Sequence, residues 1–211
     1  MHHVFVDSNV LGSKTQYDWL FLLRRELHMM FSLCTSDDVL DEAHRVWRKK
    51  HPGLGGDMRA QREQLFRLNF NEISSEWEGA PAPVVDIDDS HVHNAAAYLN
   101  AEILLTNNVK DFGDPDTLPY DLYTPDEFFC LIYQNAPDAV RVVASKQIAY
   151  WAKRKQLTGS GAEPKKLSDA LSDAGCPEFA QHVKECLQFM SGMKAAEEQS
   201  EVKTRAAGVR L

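Results

Sequence analysis

Short apolar runs alternate along this chain with longer stretches in which apolar residues recur every three or four positions. That alternation points to a mostly parallel sheet covered by helices. Strand-like runs fall at residues 3–6, 30–33, 84–87 and 102–105, with a shorter one near Leu122 and Tyr123. Helical stretches fall at residues 18–28 and 37–50, and at about 58–71. In the second of these, Thr35 and Ser36 are candidate N-caps, and Val39, Leu40, Ala43, Val46 and Trp47 share one stripe. Gly79-Ala80-Pro81-Ala82-Pro83 resets the chain before the third expected strand, and Asp88 reads as the N-cap of a helix whose inner face carries Val92, Ala96 and Leu99.

Thr124-Pro125-Asp126-Glu127 has the marks of a helix start, and everything after it reads as helix or loop. A polar linker at 158–164 separates further helices at 165–174 and at 177 to about 193. The expected organisation is an α/β domain over residues 1–134, a helical extension over 135–193 and a charged, flexible tail over 194–211. No internal repeat is visible.

Composition narrows the function classes. No apolar run approaches the roughly 20 residues a membrane span needs, and the opening Met-His-His-Val-Phe-Val-Asp has no signal-peptide core, so the expectation is a cytoplasmic protein with no membrane partner. Cys34, Cys130, Cys176 and Cys186 show no C-x-x-C spacing, which argues against a structural zinc site and reads as buried free thiols. The net charge is −8. An acidic chain holds a phosphate-rich partner only through local basic patches or bound cations.

Acidic side chains supply the candidate chemistry. Asp7 ends the first strand, at the sheet edge where open α/β folds place their sites, and Asp111 lies just beyond the strand ending at Leu105, at the same edge. At about 100° per residue, Glu42 borders the buried stripe of its helix while Asp41 points away. Asp89 falls on the inner face of the helix that follows it. Carboxylates within about 4 Å of each other repel by about 4 kcal/mol per pair at an effective dielectric near 20, so the cluster calls for a cation. Oxygen-only donors select a hard ion, Mg²⁺ or Mn²⁺.

Four segments resemble the motifs of PIN domains. Val4-Phe5-Val6-Asp7-Ser8-Asn9-Val10 looks like their opening motif, and Ser36-Asp37-Asp38-Val39-Leu40-Asp41-Glu42 is similar to the second. Asp89-Ser90-His91-Val92-His93-Asn94-Ala95-Ala96-Ala97 resembles the third. Leu105-Thr106-Asn107-Asn108-Val109-Lys110-Asp111-Phe112 looks like the closing Thr-x-Asn-x-x-Asp-Phe motif. The resemblance covers residues 1 to about 130, and the helical segments beyond look like the extension of one PIN subgroup.

The resemblance implies a three-layer α/β fold with about five strands and Mg²⁺-dependent endoribonuclease activity on RNA. It further implies a VapC-like toxin with a small antitoxin partner, and a homodimer. Asp7, Glu42, Asp89 and Asp111 would be the acidic quartet, with Asn9, Thr106 and Asn108 as the supporting polar shell. Asn108 stands where some members carry another acid.

Other readings compete at each position. Arg45, Arg48, Lys49 and Arg59, with Lys50 and Arg62, form a candidate cradle for an RNA backbone, and a solvated helix end explains the same run equally well. Trp47 and Phe66 offer stacking faces, but their spacing fits core packing better. His91 and His93 lie about 200° apart on a helix and cannot chelate one ion together. The rival functional class is a PIN-like binding module for RNA or a partner protein that does not cut. A DNA flap or repair nuclease ranks third, because the chain lacks an arch-like insertion.

Overall fold

The computed structural model describes residues 1–53, 55–77, 84–158 and 165–208, with side chains described through residue 192 apart from those gaps. The stretch expected to reset the chain at residues 79–83 lies outside these, as does the linker expected at 158–164 apart from Thr158, which is helical. The chain is α/β, with one five-stranded parallel sheet flanked by helices. Its strands are β1 His2–Val6, β2 Phe31–Ser36, β3 Glu72–Ser74, β4 Ile103–Leu105 and β5 Asp121–Tyr123, in spatial order β3-β2-β1-β4-β5. The first strand is therefore central, paired Val4 to Leu33 on one side and Val4 to Ile103 on the other. A parallel strand covered on both faces tends to read as a near-continuous apolar run. Val4, Phe5 and Val6 fit that pattern and are fully buried.

Nine helices are described: α1 Ser8–Leu11, α2 Lys14–Glu26, α3 Asp37–Lys50, α4 Gly56–Asn69, α5 Ser90–Tyr98, α6 Pro125–Asn135, α7 Pro137–Thr158, α8 Leu167–Asp173 and α9 Pro177–Gly208. Local chemistry sets several of their starts. The Ser36 side chain accepts from Val39 N to cap α3, and Thr124 with Glu127 forms a capping box on α6 behind Pro125. Asp126 carries the capping further, its carboxylate accepting from Glu178 N at 3.1 Å and Phe179 N at 2.8 Å to start α9.

The C-terminal helices share the apolar core of the sheet. Phe179 of α9 meets Trp19 of α2 edge-on, with ring centroids 5.1 Å apart, and meets Phe129 of α6 at the same separation. Leu171, Cys176 and Val183 are buried beside them. All four cysteines are buried free thiols. No helix among the described residues is long and apolar enough to cross a membrane.

Three local expectations are corrected. The last helix, expected to end at about residue 193 before a flexible tail, continues through Gly208. Residues 84–87 do not form the third strand, whose place beside β2 is taken by Glu72–Ser74. Val85 N and Asp86 N instead donate to the Asp111 carbonyl at 2.8 and 3.1 Å, which leaves the Val85 and Ile87 side chains exposed. Asp88 is not the N-cap of α5. Asp86 caps a 3-10 turn over Ile87–Asp89 by accepting from Asp88 N, and Asp89 occupies the N-cap position of α5 without a side-chain bond of its own. That leaves the Asp89 carboxylate uncommitted to the helix end.

Candidate metal centre

The carboxyl ends of β1 and β4 converge on Asp7. Its side chain is 2% exposed, and Oδ2 accepts hydrogen bonds from Thr106 Oγ1 at 2.7 Å and Asn9 Nδ2 at 2.6 Å. Asn9 Nδ2 also donates to Thr106 Oγ1 at 3.0 Å, and Asn108 N donates to the same hydroxyl at 3.0 Å. Burial pushes the Asp7 carboxyl above its ordinary value. Thr106 and Ser8 donors pull it back, and the Glu42 charge adds to the rise.

A cleft of about 420 Å³ opens beside Asp7, lined by Asn9, Glu42, Asp89, Asn108 and Lys50 among others. Glu42 reaches it from α3, with Oε2 3.7 Å from His91 Nε2 of α5. Asp89 closes the opposite side. Its carboxyl is pushed up to about 6, first by burial and then by the charges of Asp7, Asp111 and Asp86, with His91 opposing.

Asp89 also belongs to a second grouping. Asp86, Asp89 and Asp111 each offer a carboxylate oxygen within 4.8 Å of the others, an arrangement that could hold a metal ion. The backbone bonds from Val85 and Asp86 to the Asp111 carbonyl produce this proximity. Asp7, Glu42 and Asp89 thus share the cleft, while Asp111 joins through Asp89 and Asp86. Asp86 was not a sequence candidate, because its approach to Asp111 comes from long-range pairing with no local pattern.

The donor set fits a hard divalent cation. The oxygens close enough to share an ion are the carboxylates of Asp86, Asp89 and Asp111. Carboxylates, amides and hydroxyls line the adjoining cleft with the His91 imidazole at the side of Glu42, and the cysteines are sealed in the core. A more voluminous cavity of about 930 Å³ lies between α7, α8 and α9. Its one described carboxylate, Asp169, does not make a comparable donor set.

The basic residues separate. Arg45, Arg48, Lys49 and Arg59 are exposed on α3 and α4. Lys50, in the last turn of α3, lines the cleft. Arg62 is turned inward and cannot cradle a backbone. It donates to Leu11 O at 2.7 Å and Ala43 O at 3.4 Å, with its guanidinium 4.4 Å from the Phe66 ring centre. Phe66 is fully buried, and Trp47 stacks on His51 at 5.1 Å. His91 and His93 diverge, the latter bonding the Tyr120 hydroxyl at 2.7 Å inside the protein. Comparison of the chain with protein-family models, with curated proteins and with solved structures returns no match.

Proposed function

We propose that this protein is a Mg²⁺- or Mn²⁺-dependent endoribonuclease of the PIN kind, hydrolysing RNA phosphodiesters at the cleft of Asp7, Glu42 and Asp89, with Asp111 adjoining. The observation that carries the reading is the double membership of Asp89. Acids from four separate segments meet around it at the carboxyl edge of a parallel sheet. So much mutually repelling charge in a half-buried place is costly unless a cation offsets it.

Residues 86, 89 and 111, with 7 and 42 on the cleft side, would hold the ion. When bound, the cation supplies the positive charge that polarises phosphate and water for hydrolysis. The chain's own groups bind and orient. Two donors fix Asp7 Oδ2, so its carboxylate has one orientation toward the cleft. Lys50 offers a mobile cation to a phosphate oxygen at the rim, and the exposed Arg45, Arg48, Lys49 and Arg59 extend that basic face.

The decisive test is incubation of the purified protein with structured RNAs in Mg²⁺ and in EDTA. Cleavage should require the metal and vanish in Asp7→Asn, whereas equal cleavage in both buffers would refute the mechanism. The proposal extends to a toxin held in check by a small antitoxin that lays an Arg or Lys among the acids, and to a homodimer. Coexpression with such a partner should relieve growth arrest.

One observation favours a second reading, a binding module that does not cut. Asn108 lines the cleft with an amide in place of a further acid. Calorimetry that finds RNA binding but no Mg²⁺ or Mn²⁺ binding would select it.

A further inference from the structure

Gln16 is a polar side chain buried to 2% exposure on the apolar face of α2, alongside Leu20 and Leu23. Its amide is engaged at both nitrogen and oxygen. Nε2 donates to Ala174 O at 2.7 Å and to Asn107 Oδ1 at 2.9 Å, while Oε1 accepts from Asn107 Nδ2 at 3.0 Å. Asn107 in turn donates to Asn9 Oδ1 twice, from its backbone N at 2.9 Å and from Nδ2 at 3.2 Å. Asn9 then presents Nδ2 to Asp7 Oδ2. Ala174 is the C-cap of α8, in a turn completed by Gly175 at φ +82°.

We propose that Gln16 is a positioning residue through which the C-terminal helices hold the metal-facing carboxylate of Asp7, by an amide chain of fixed polarity running Ala174–Gln16–Asn107–Asn9–Asp7. This rests on the metal-centre reading above.

The polarity follows from the two ends. A peptide carbonyl can only accept, so Gln16 must turn its nitrogen to Ala174 and its oxygen to Asn107 Nδ2. Asn107 then has donors left for Asn9, whose oxygen faces Asn107 and whose nitrogen faces the carboxylate. Reversing any one amide sets oxygen against oxygen or nitrogen against nitrogen. The arrangement of the α8–α9 turn therefore reaches Asp7 as a choice of amide orientation, without contact between the turn and the cleft. A group bonded directly to a metal ligand typically alters metal affinity about 10- to 100-fold when removed, and Gln16, two links further out, sets the orientation of such a group, Asn9.

Gln16→Met keeps the volume and removes every polar contact. Titration with Mn²⁺ alone by calorimetry should show affinity lowered, by up to about 10-fold. In metal-free protein, the Asn9 side-chain amide resonances should move toward solvent-like positions, since Asn107 is the group that links Asn9 to residue 16. Should Gln16→Met fold poorly, the isosteric Gln16→Glu, which places an oxygen where the donor was, is read by the same Asn9 resonances.

Val140→Ala supplies the contrast. Val140 is fully buried in α7 and belongs neither to the α8–α9 turn nor to the amide chain, so its truncation should lower the melting temperature yet leave both the Mn²⁺ affinity and the Asn9 resonances unchanged. Unmoved Asn9 resonances in the residue 16 variants would overturn the proposal, as would equal weakening of Mn²⁺ binding by Val140→Ala. If the unsubstituted protein binds no Mn²⁺, the metal-centre reading fails, and the Asn9 resonances still decide the amide chain.

Discussion

Thr106 Oγ1 donates to Asp7 Oδ2 across the ends of β4 and β1, at 2.7 Å and fully out of water. A hydroxyl donating to a buried carboxylate makes one of the stronger hydrogen bonds a neutral donor can form, because the acceptor is charged and little water competes for it. Thr106→Val keeps the shape and deletes the donor. It also strips Asn108 N and Asn9 Nδ2 of an acceptor. The expected loss is about 2 kcal/mol of folding stability, read from the urea midpoint at neutral pH. A change below about 0.5 kcal/mol, the size of an ordinary surface substitution, would show that the bond matters little to the fold.

The acidic cluster makes stability depend on pH in a stated direction. Asp89 is pushed up from 3.8 to about 6, so the folded state holds this proton more tightly than the unfolded chain does. Its contribution is fully present below about pH 4 and is lost as pH rises through about 6. Asp7 is shifted in the same direction by burial and by Glu42. Melting temperatures of metal-free protein, recorded at steps between these values, should fall from the acidic side. A rise across that window would show that other groups dominate the linkage.

Removing one charge should stabilise the metal-free fold while destroying its response to metal. Asp89→Asn relieves repulsion from Asp7, Asp86 and Asp111. Above pH 7 and in EDTA it should melt higher than the unsubstituted protein. Saturating Mn²⁺ should then raise the melting temperature of the unsubstituted protein alone, by the equivalent of about 2.7 kcal/mol at one hundred times the dissociation constant. Equal metal-induced shifts in both proteins would remove Asp89 from the ligand set.

Arg62 is a buried cation with no carboxylate paired to it among the described residues. It ties the last turn of α1 to α3 through Leu11 O and Ala43 O, and lies against Phe66. Arg62→Leu leaves the Leu11 carbonyl without its donor and forfeits the ring contact. The expected cost is about 3 kcal/mol by denaturant titration. Arg62→Lys should recover only part of this, since an ammonium cannot reach both carbonyls in the fork geometry.

Much of the architecture could be read from residue order because its determinants are local. Val4-Phe5-Val6 is continuous and apolar as a doubly covered parallel strand tends to be, and α3 spans the expected residues 37–50 because a Ser cap, acids in the first turn and a single apolar stripe agree. β3 escaped because three residues with an exposed Glu72 carry no pattern. Residues 84–87 misled because an apolar run looks the same whether it enters a sheet or crosses its edge to bond the Asp111 carbonyl. Asp7, Glu42, Asp89 and Asp111 stood out through strand ends, helix faces and motif resemblance. Asp86 did not, since only tertiary pairing brings it near. Gln16 left a usable trace, a polar side chain in register with Leu20 and Leu23.

Placing the first strand in the middle of the sheet also orders events during synthesis. β1 leaves the ribosome before either of its neighbours, and β2 joins it after a short helical excursion. Its other edge stays open until β4 arrives, because the residues that close it, Asp7 and Thr106, are 99 positions apart. Closing so wide a loop is slow relative to local helix formation. The nascent chain therefore cannot assemble the cleft beside Asp7 until translation has passed the fourth strand.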